Sequence, residues 1–161
     1  MSSFAQAVEE IKLELGDLWL PQIYREQILQ MRTRSHHLEI PSKTAGVEIQ
    51  HTLLGVELKI GRRRTLCPDL ATARYLAVFA RAGCTDVAVP YDISRISRLA
   101  DELESSWHRM LLLVGRVAAE SNENFRSRLR NLLITEVRRE IAEAGAGTAI
   151  PQFNQNTKQR R

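Results

Sequence analysis

Hydrophobic positions near the start of the chain recur every three or four residues, which is the period of an amphipathic helix. The apolar stripe of this first predicted helix comprises Phe4, Val8, Ile11 and Leu15. Ser3 and Gln6 have the spacing of a capping box, and Gly16 supplies a stop. A second, short helix is predicted to start at Pro21, because proline fits the first helical turn. Its apolar side comprises Leu20, Tyr24, Ile28 and Met31.

The pattern then changes to the alternation of apolar and polar residues that is typical of half-buried strands. We expect three antiparallel strands, near residues 46–52, 56–60 and 63–67. Gly55 and Gly61 stand where the turns between them are needed. An additional strand is expected near residues 36–40, ending at Pro41.

Helices dominate the rest of the chain. Pro68 and Asp69 open an apolar helix that runs through Ala82, and the short apolar run Val87 to Val89 follows as a strand. A strand, a helix and a strand in this order predict a parallel pairing with a right-handed crossover. Two long helices follow, from Asp92 or Ser94 to about Ala119 and from about residue 122 to 144. The predicted stripe of the last helix is Phe125, Leu129, Leu132, Val137 and Ile141.

These elements predict a mixed α+β (α/β) fold. It contains a small mixed sheet of about four to five strands, in which a hairpin precedes the β-α-β unit, with flanking helices and a long C-terminal helix pair. Residues 1–120 are expected to form one domain. Residues 121–145 form a helix that packs on this domain or on a partner, and residues 146–161 form a basic tail expected to be disordered.

Composition narrows the class of protein. The chain has 161 residues, of which 43% are hydrophobic, so it is long enough to bury a core. Its longest apolar run falls far short of the roughly 18 residues that a membrane span needs. Its two cysteines are too few for a disulfide framework, and its N-terminus turns acidic where a signal peptide needs an apolar stretch. A cytoplasmic location is therefore expected.

Charge is concentrated in two blocks of the sequence. Residues 25–81 contain ten basic and five acidic side chains, a net charge of +5, and residues 121–161 contain eight and four, a net charge of +4. Acidic stretches separate these blocks. The pI of about 9.4 therefore describes two local basic regions better than it describes the whole chain.

The first basic block contains a constellation that is suited to metal-assisted chemistry. Glu57 and Lys59 are two residues apart on a predicted strand, so their side chains project from the same face. Glu48 lies on the preceding strand, and a hairpin can bring it close to Glu57, although the sequence leaves the register open. Two carboxylates can hold Mg²⁺, while a lysine orients water or steadies a phosphate. The same pattern is also typical of the solvent-facing side of a hairpin.

This stretch resembles the PD-(D/E)XK nucleases, the restriction-endonuclease-like superfamily, over roughly residues 44–95. The resemblance rests on Glu57-x-Lys59, on the order of the surrounding elements and on the helix and strand that follow. It implies that Glu57 is a metal ligand, that Lys59 is the catalytic lysine, and that Glu48 stands where the family usually has Asp. The family's Pro-Asp pair is absent at the position of Glu48. The only Pro-Asp pair in this sequence, Pro68-Asp69, comes after the Glu57-x-Lys59 motif and is interpreted as a helix start.

Arginines next to this motif suggest a nucleic-acid surface. Arg62, Arg63 and Arg64 at a hairpin tip would form a compact positive patch able to contact phosphates of DNA or RNA, and Arg32 and Arg34 would extend it. A solvated turn accounts for the same residues equally well. The first functional hypothesis is therefore a nucleic-acid-interacting protein, in one version a Mg²⁺-dependent phosphodiesterase.

A second hypothesis comes from the long helices. The seam of the first of them has nearly heptad spacing and comprises Ile96, Leu99, Leu103, Trp107, Met110, Val114 and Val117. Such a seam either belongs to the core or forms a helix–helix interface. The alternative function is therefore a non-catalytic assembly protein that binds a partner, or a second copy of itself, through residues 94–145.

Overall fold

The computed structural model describes residues 3–42 and 45–147, and the expected tail from residue 148 onward lies outside them. The helices are α1 (Phe4–Leu15), α2 (Leu20–Ile23, prolonged by a π-helical turn over Tyr24–Ile28), α3 (Leu70–Arg81), α4 (Ile93–Val117) and α5 (Glu123–Ala144). The strands are β1 (Thr33–His37), β2 (Val47–Thr52), β3 (Gly55–Ile60), β4 (Arg63–Cys67) and β5 (Asp86–Pro90). The predicted mixed α+β class is confirmed.

Local sequence signals account for most of these boundaries. Ser3 and Gln6 form the predicted capping box, and Gly16 ends α1 with a φ of 54°. Asp69 caps α3 by accepting a hydrogen bond from the backbone N–H of Thr72 at 2.7 Å. The additional strand is displaced from the prediction, because β1 begins at Thr33 and ends before Pro41.

The sheet topology differs from the prediction. The described strands form two antiparallel sheets, a three-stranded meander of order β2-β3-β4 and a separate pair of β1 with β5. The expected single mixed sheet, and the parallel pairing of the strand at Val87 to Val89, are therefore wrong. Strand β5 pairs with β1, in a register that sets Ser35 opposite Ala88.

Two tyrosines explain why β5 takes no parallel partner. The Tyr24 hydroxyl accepts a hydrogen bond from the N–H of Ala88 at 3.0 Å, and the Tyr75 hydroxyl donates to the carbonyl of Ala88 at 2.6 Å. These are the backbone groups that a neighbouring strand would need. Tyr24 also donates to the carbonyl of Gly145 at 2.5 Å, so it joins α2, β5 and the end of α5.

The C-terminal helix packs inside this chain. Helix α5 lies against α1, α2 and α4, and its buried residues are Leu129, Leu133, Val137 and Ile141. Leu133 therefore takes the place that the sequence pattern gave to Leu132, whose side chain is exposed. Lys12 of α1 lies 2.8 Å from a carboxylate oxygen of Glu140 and 3.2 Å from one of Glu136, which ties the first helix to the last.

Helix α4 contributes most of its predicted seam to the same core. Its buried residues include Ile96, Leu99, Leu103, Met110 and Val114, while Trp107 and Val117 are half-buried against the core. Among the described residues, no helix is both long and apolar enough to cross a membrane.

Candidate nucleic-acid interface

The β2-β3-β4 meander has one covered face and one open face. Leu58, Ile60 and Cys67 point toward α3 and are buried, and Val47, Ile49 and Val56 pack against the same core. Because side chains alternate along a strand, the residues between them belong to the opposite side. We call that side the outer face. It comprises Glu48, Gln50, Thr52, Gly55, Glu57, Lys59, Arg64 and Leu66.

The observed register resolves what the sequence left open. Glu48 pairs with Lys59, and Lys59 pairs with Arg64, so these three side chains form one cross-strand row. Gln50, Glu57 and Leu66 form the next row. The candidate residues Glu48, Glu57 and Lys59 are therefore all on the outer face. Glu48 and Glu57 are diagonal neighbours across the β2–β3 pair, positions whose Cα atoms are about 7–8 Å apart in an antiparallel sheet.

The outer face has two cations, Lys59 and Arg64, and two carboxylates, Glu48 and Glu57, none of which forms an ion pair with another described residue. Lys59 and Arg64 form no hydrogen bond or ion pair with the described residues. Glu48 is exposed and accepts a hydrogen bond from the Gln50 amide at 3.3 Å. One carboxylate oxygen of Glu57, Oε1, is buried and has no hydrogen-bond partner. The face therefore offers two available cations and one unsatisfied acceptor.

The same residues define how a metal ion would be held. Glu48 and Glu57 are the two carboxylates that share the face, and the orphaned Oε1 of Glu57 is the kind of atom that a cation satisfies. Within residues 3–42 and 45–147, no group of three or more His, Cys, Asp or Glu side chains is arranged to ligate a metal. A Mg²⁺ ion held here would thus rely on two protein carboxylates, with water and substrate completing its coordination.

Three consecutive arginines surround the turn between β3 and β4. Arg62 lies in the turn, Arg63 lies 3.7 Å from Glu39, and Arg64 joins the row of Lys59. All three are exposed. Gly61 permits this tight turn, because its φ of 61° is the left-handed conformation that favours glycine. The turn therefore adds Arg62 to the basic end of the outer face.

Arg32 and Arg34 are placed elsewhere. Arg34 lies on β1 and Arg32 immediately precedes that strand, so both belong to the other sheet. The guanidinium carbon of Arg32 is 5.4 Å from the centre of the Tyr91 ring. Arg34 lines a cleft of about 310 Å³ that includes Asp69 and Tyr91. The structure does not bring these two arginines onto the outer face.

The apolar end of the meander was not among the predicted site residues. Leu53 and Leu54 form the two-residue turn between β2 and β3, and Leu66 lies on the outer face beside Gly55. All three leucines are exposed. Their signal was present in the sequence, since two leucines occupy a turn where Asn, Asp or Gly is usual. The outer face is therefore basic at one end and apolar at the other.

Within the described part of the chain, the cysteines and the His36–His37 pair do not form a second reactive centre. Both cysteines are buried, and burial raises the pKa of the Cys84 thiol to about 12. Burial also lowers the pKa of His36. A hydrogen bond to Asp86 raises the pKa of His37, whose Nδ1 lies 3.0 Å from the carboxylate. With its pKa raised in this way, the Cys84 thiol stays protonated at neutral pH, so Cys84 contributes to core packing and not to catalysis.

The chain matches no protein-family model, no curated protein and no solved structure.

Proposed function

We propose that the outer face of the meander binds double-stranded DNA in its major groove. The observation that carries this proposal is a three-stranded sheet with one face covered by α3 and the other face open, with Lys59 and Arg64 at one end of the open face. Lys59 and Arg64 lie side by side there without an ion pair to the described residues. Arg62, in the adjoining turn, adds a third cation for phosphate contact.

The dimensions of the meander suit this groove. Two adjacent strands, such as β3 and β4, lie about 4.8 Å apart, and the major groove of B-form DNA, about 12 Å wide, admits a two-stranded ribbon. A strand of six residues, such as β3, extends about 20 Å. Sheet and ribbon proteins use such faces for groove recognition.

The composition of the second row supports base contact as well as phosphate contact. Gln50 is half-buried beside Glu57, and a glutamine amide can form two hydrogen bonds with the major-groove edge of adenine. The basic row lies about 7 Å away, two residues along the strand. One face thus combines groups for phosphates with groups for base edges. DNA is favoured over double-stranded RNA, whose major groove is too narrow and deep for side chains to read.

Binding to duplex DNA across a series of salt concentrations tests the proposal. We expect Lys59→Ala and Arg64→Ala each to weaken binding and to lower the salt slope by about 1, because each removes one phosphate contact. Arg98→Ala is the matched control, since Arg98 is 84% exposed on α4 and lies outside the sheet. Equal losses from all three variants, or the absence of salt-sensitive binding, would overturn the proposal.

A second candidate function is Mg²⁺-dependent phosphodiester hydrolysis. The unpartnered Oε1 of Glu57 favours it, together with the placement of Glu48 and Lys59 on the same face. A bound ion would polarise the scissile phosphate. In that setting Glu48 and Glu57 hold the ion, and Lys59 positions the attacking water or steadies charge on the phosphate.

Incubation with DNA and RNA in the presence of Mg²⁺ or Mn²⁺ separates binding from hydrolysis. Metal-dependent cleavage that is lost in both Glu57→Gln and Lys59→Ala would support hydrolysis. Binding without cleavage would leave the outer face as a binding surface alone.

Little apolar surface on α4 and α5 remains exposed for the alternative function, assembly with a partner. It needs a free apolar seam along residues 94–145, but the seams of α4 and α5 are largely buried within the chain. Sedimentation of the full chain, alone and with DNA, measures any self-association that uses other surfaces.

A further inference from the structure

We infer that the apolar end of the outer face, formed by Leu53, Leu54 and Leu66, contacts the methyl groups of thymine in the major groove. This inference rests on the proposed function and adds sequence preference to it. It assigns the basic row to phosphates and the apolar end to A·T base pairs.

The exposure of these leucines is the first observation. Leu53 and Leu54 are 106% and 81% exposed, and Leu66 is 58% exposed. Leu53 and Leu54 occupy adjoining turn positions, and Leu66 lies toward the same end of the sheet, beside the Gly55 that follows the turn. Three large apolar side chains exposed at one end of a sheet are available to contact a ligand there.

The turn that carries the leucines is held in place. The Thr52 hydroxyl accepts a hydrogen bond from the N–H of Leu54 at 3.2 Å and donates one to the carbonyl of Gly55 at 3.0 Å. The Leu66 side chain lies over Gly55: its Cδ1 atom is 3.6 Å from the position that a Cβ atom on Gly55 would occupy. Because the turn is ordered before binding, little conformational entropy is lost when the leucines make contact.

The ligand follows from the neighbouring row. Leu66 lies in the same cross-strand row as Gln50 and Glu57, and this row is adjacent to Lys59 and Arg64. DNA whose phosphates meet those cations therefore presents its base edges to Leu66. The thymine methyl is the apolar group that base pairs display in the major groove, and aliphatic side chains pack against it. Gln50 suits the adenine of such a pair.

Replacement of thymine by uracil in DNA removes this methyl group while base pairing is kept. Binding is measured with an alternating dA·dT duplex of about two helical turns and with the same duplex built from deoxyuridine. We expect the wild-type chain to bind the thymine duplex about four- to fifteenfold more tightly, which corresponds to the burial of one or two methyl groups. In the double variant Leu53→Ser, Leu54→Ser and in Leu66→Ser, this preference is reduced or lost.

A reciprocal probe adds the methyl group back. An alternating dG·dC duplex with 5-methylcytosine carries a methyl group at the corresponding position of the pyrimidine, and we expect tighter binding to it than to the unmethylated duplex. The leucines are exposed, so their variants should fold, and thermal melting verifies this. Leu112→Ser is the matched control, because Leu112 is an exposed leucine on α4.

Each outcome decides a different point. Equal binding of the thymine and uracil duplexes overturns the inference and leaves the proposed function intact. Absence of binding to every duplex overturns the proposed function itself. If the leucine variants alter self-association in sedimentation and leave the thymine preference unchanged, a second copy of the chain covers the leucines and the inference is wrong.

Discussion

Strands β5 and β3 differ in how much of each strand is buried and in what covers it. Four of the five residues of β5 are buried, and the backbone of Ala88 is satisfied on the edge away from β1 by two tyrosine hydroxyls. In β3, only Leu58 and Ile60 are buried, because α3 covers one face alone. The difference separates a strand that serves stability from a strand whose outer side chains are available for the proposed DNA contact.

The largest expected effect tests the covered face of β3. Leu58→Ala should lower the free energy of unfolding by about 2–5 kcal/mol, because it leaves a cavity against α3. Leu66→Ala, on the outer face of the neighbouring strand, should change it by less than about 0.5 kcal/mol. Urea denaturation of both variants measures the contrast. Similar losses for the two would show that the outer face is also part of the core.

The tyrosine contacts with β5 give the next effect. Tyr75→Phe removes the donor to the carbonyl of Ala88 and leaves that buried carbonyl unpaired, at a cost of about 1–3 kcal/mol. DNA binding measured below the melting temperature should be unchanged, because Tyr75 is remote from the outer face. Tyr91→Phe is the control, since its side chain is exposed. A neutral Tyr75→Phe would contradict the role given to this hydroxyl.

A smaller effect is expected from pH, at the contact between α1 and α5. The pKa of Glu136 is lowered from 4.5 to about 2, first by its hydrogen bond with Arg139 and also by Lys12. The unfolded chain therefore binds a proton at Glu136 at a higher pH than the folded chain does. Its contribution to stability is complete above about pH 4.5 and is lost as the pH falls toward 2.

Urea midpoints measured between neutral pH and pH 3 determine this contribution. Glu136→Gln should be less stable than wild type near neutral pH, and the difference should narrow in acid. Glu123→Gln, at the start of the same helix, is the control because its carboxylate is largely exposed. A difference that does not depend on pH would show that the charge of Glu136 is not what stabilises the contact.

The smallest expected change in stability concerns Glu57. Glu57→Gln should leave the free energy of unfolding unchanged or raise it by less than about 1 kcal/mol, because the half-buried side chain loses a charge at the unpaired Oε1 position. DNA affinity without divalent metal should rise, since a negative charge is removed from the surface proposed to meet phosphates. A decrease in affinity would show that the carboxylate itself makes a favourable contact with DNA.

Strand positions were predictable because they depend on local alternation. The strand at 63–67 matches the prediction residue for residue, and the core orientation of Leu58 and Ile60 follows from the same pattern. The partner of β5 was not predictable in this way. It depends on hydroxyl groups of Tyr24 and Tyr75, which are respectively 64 and 13 residues from Ala88.

The candidate site was predictable only in part. The spacing of Glu57 and Lys59 fixes their common face, but the position of Glu48 depends on a register that a one-residue shift would reverse. The exposure of Leu53 and Leu54 could not be predicted, because it depends on whether another element packs over the turn in the folded chain. Arg32 and Arg34 could not be separated from the meander until the pairing of β1 with β5 was known.

The hydroxyl of Tyr24 also has a consequence for the order in which the molecule can be completed. It contacts Ala88 and Gly145, so its full set of hydrogen bonds exists only after the ribosome has delivered the end of α5. Until then, the Tyr24 hydroxyl that contacts the apolar strand at Val87 to Val89 lacks its acceptor, the carbonyl of Gly145. While residues 90–145 are being added, a growing chain therefore carries an incompletely protected strand edge, of the kind that promotes aggregation.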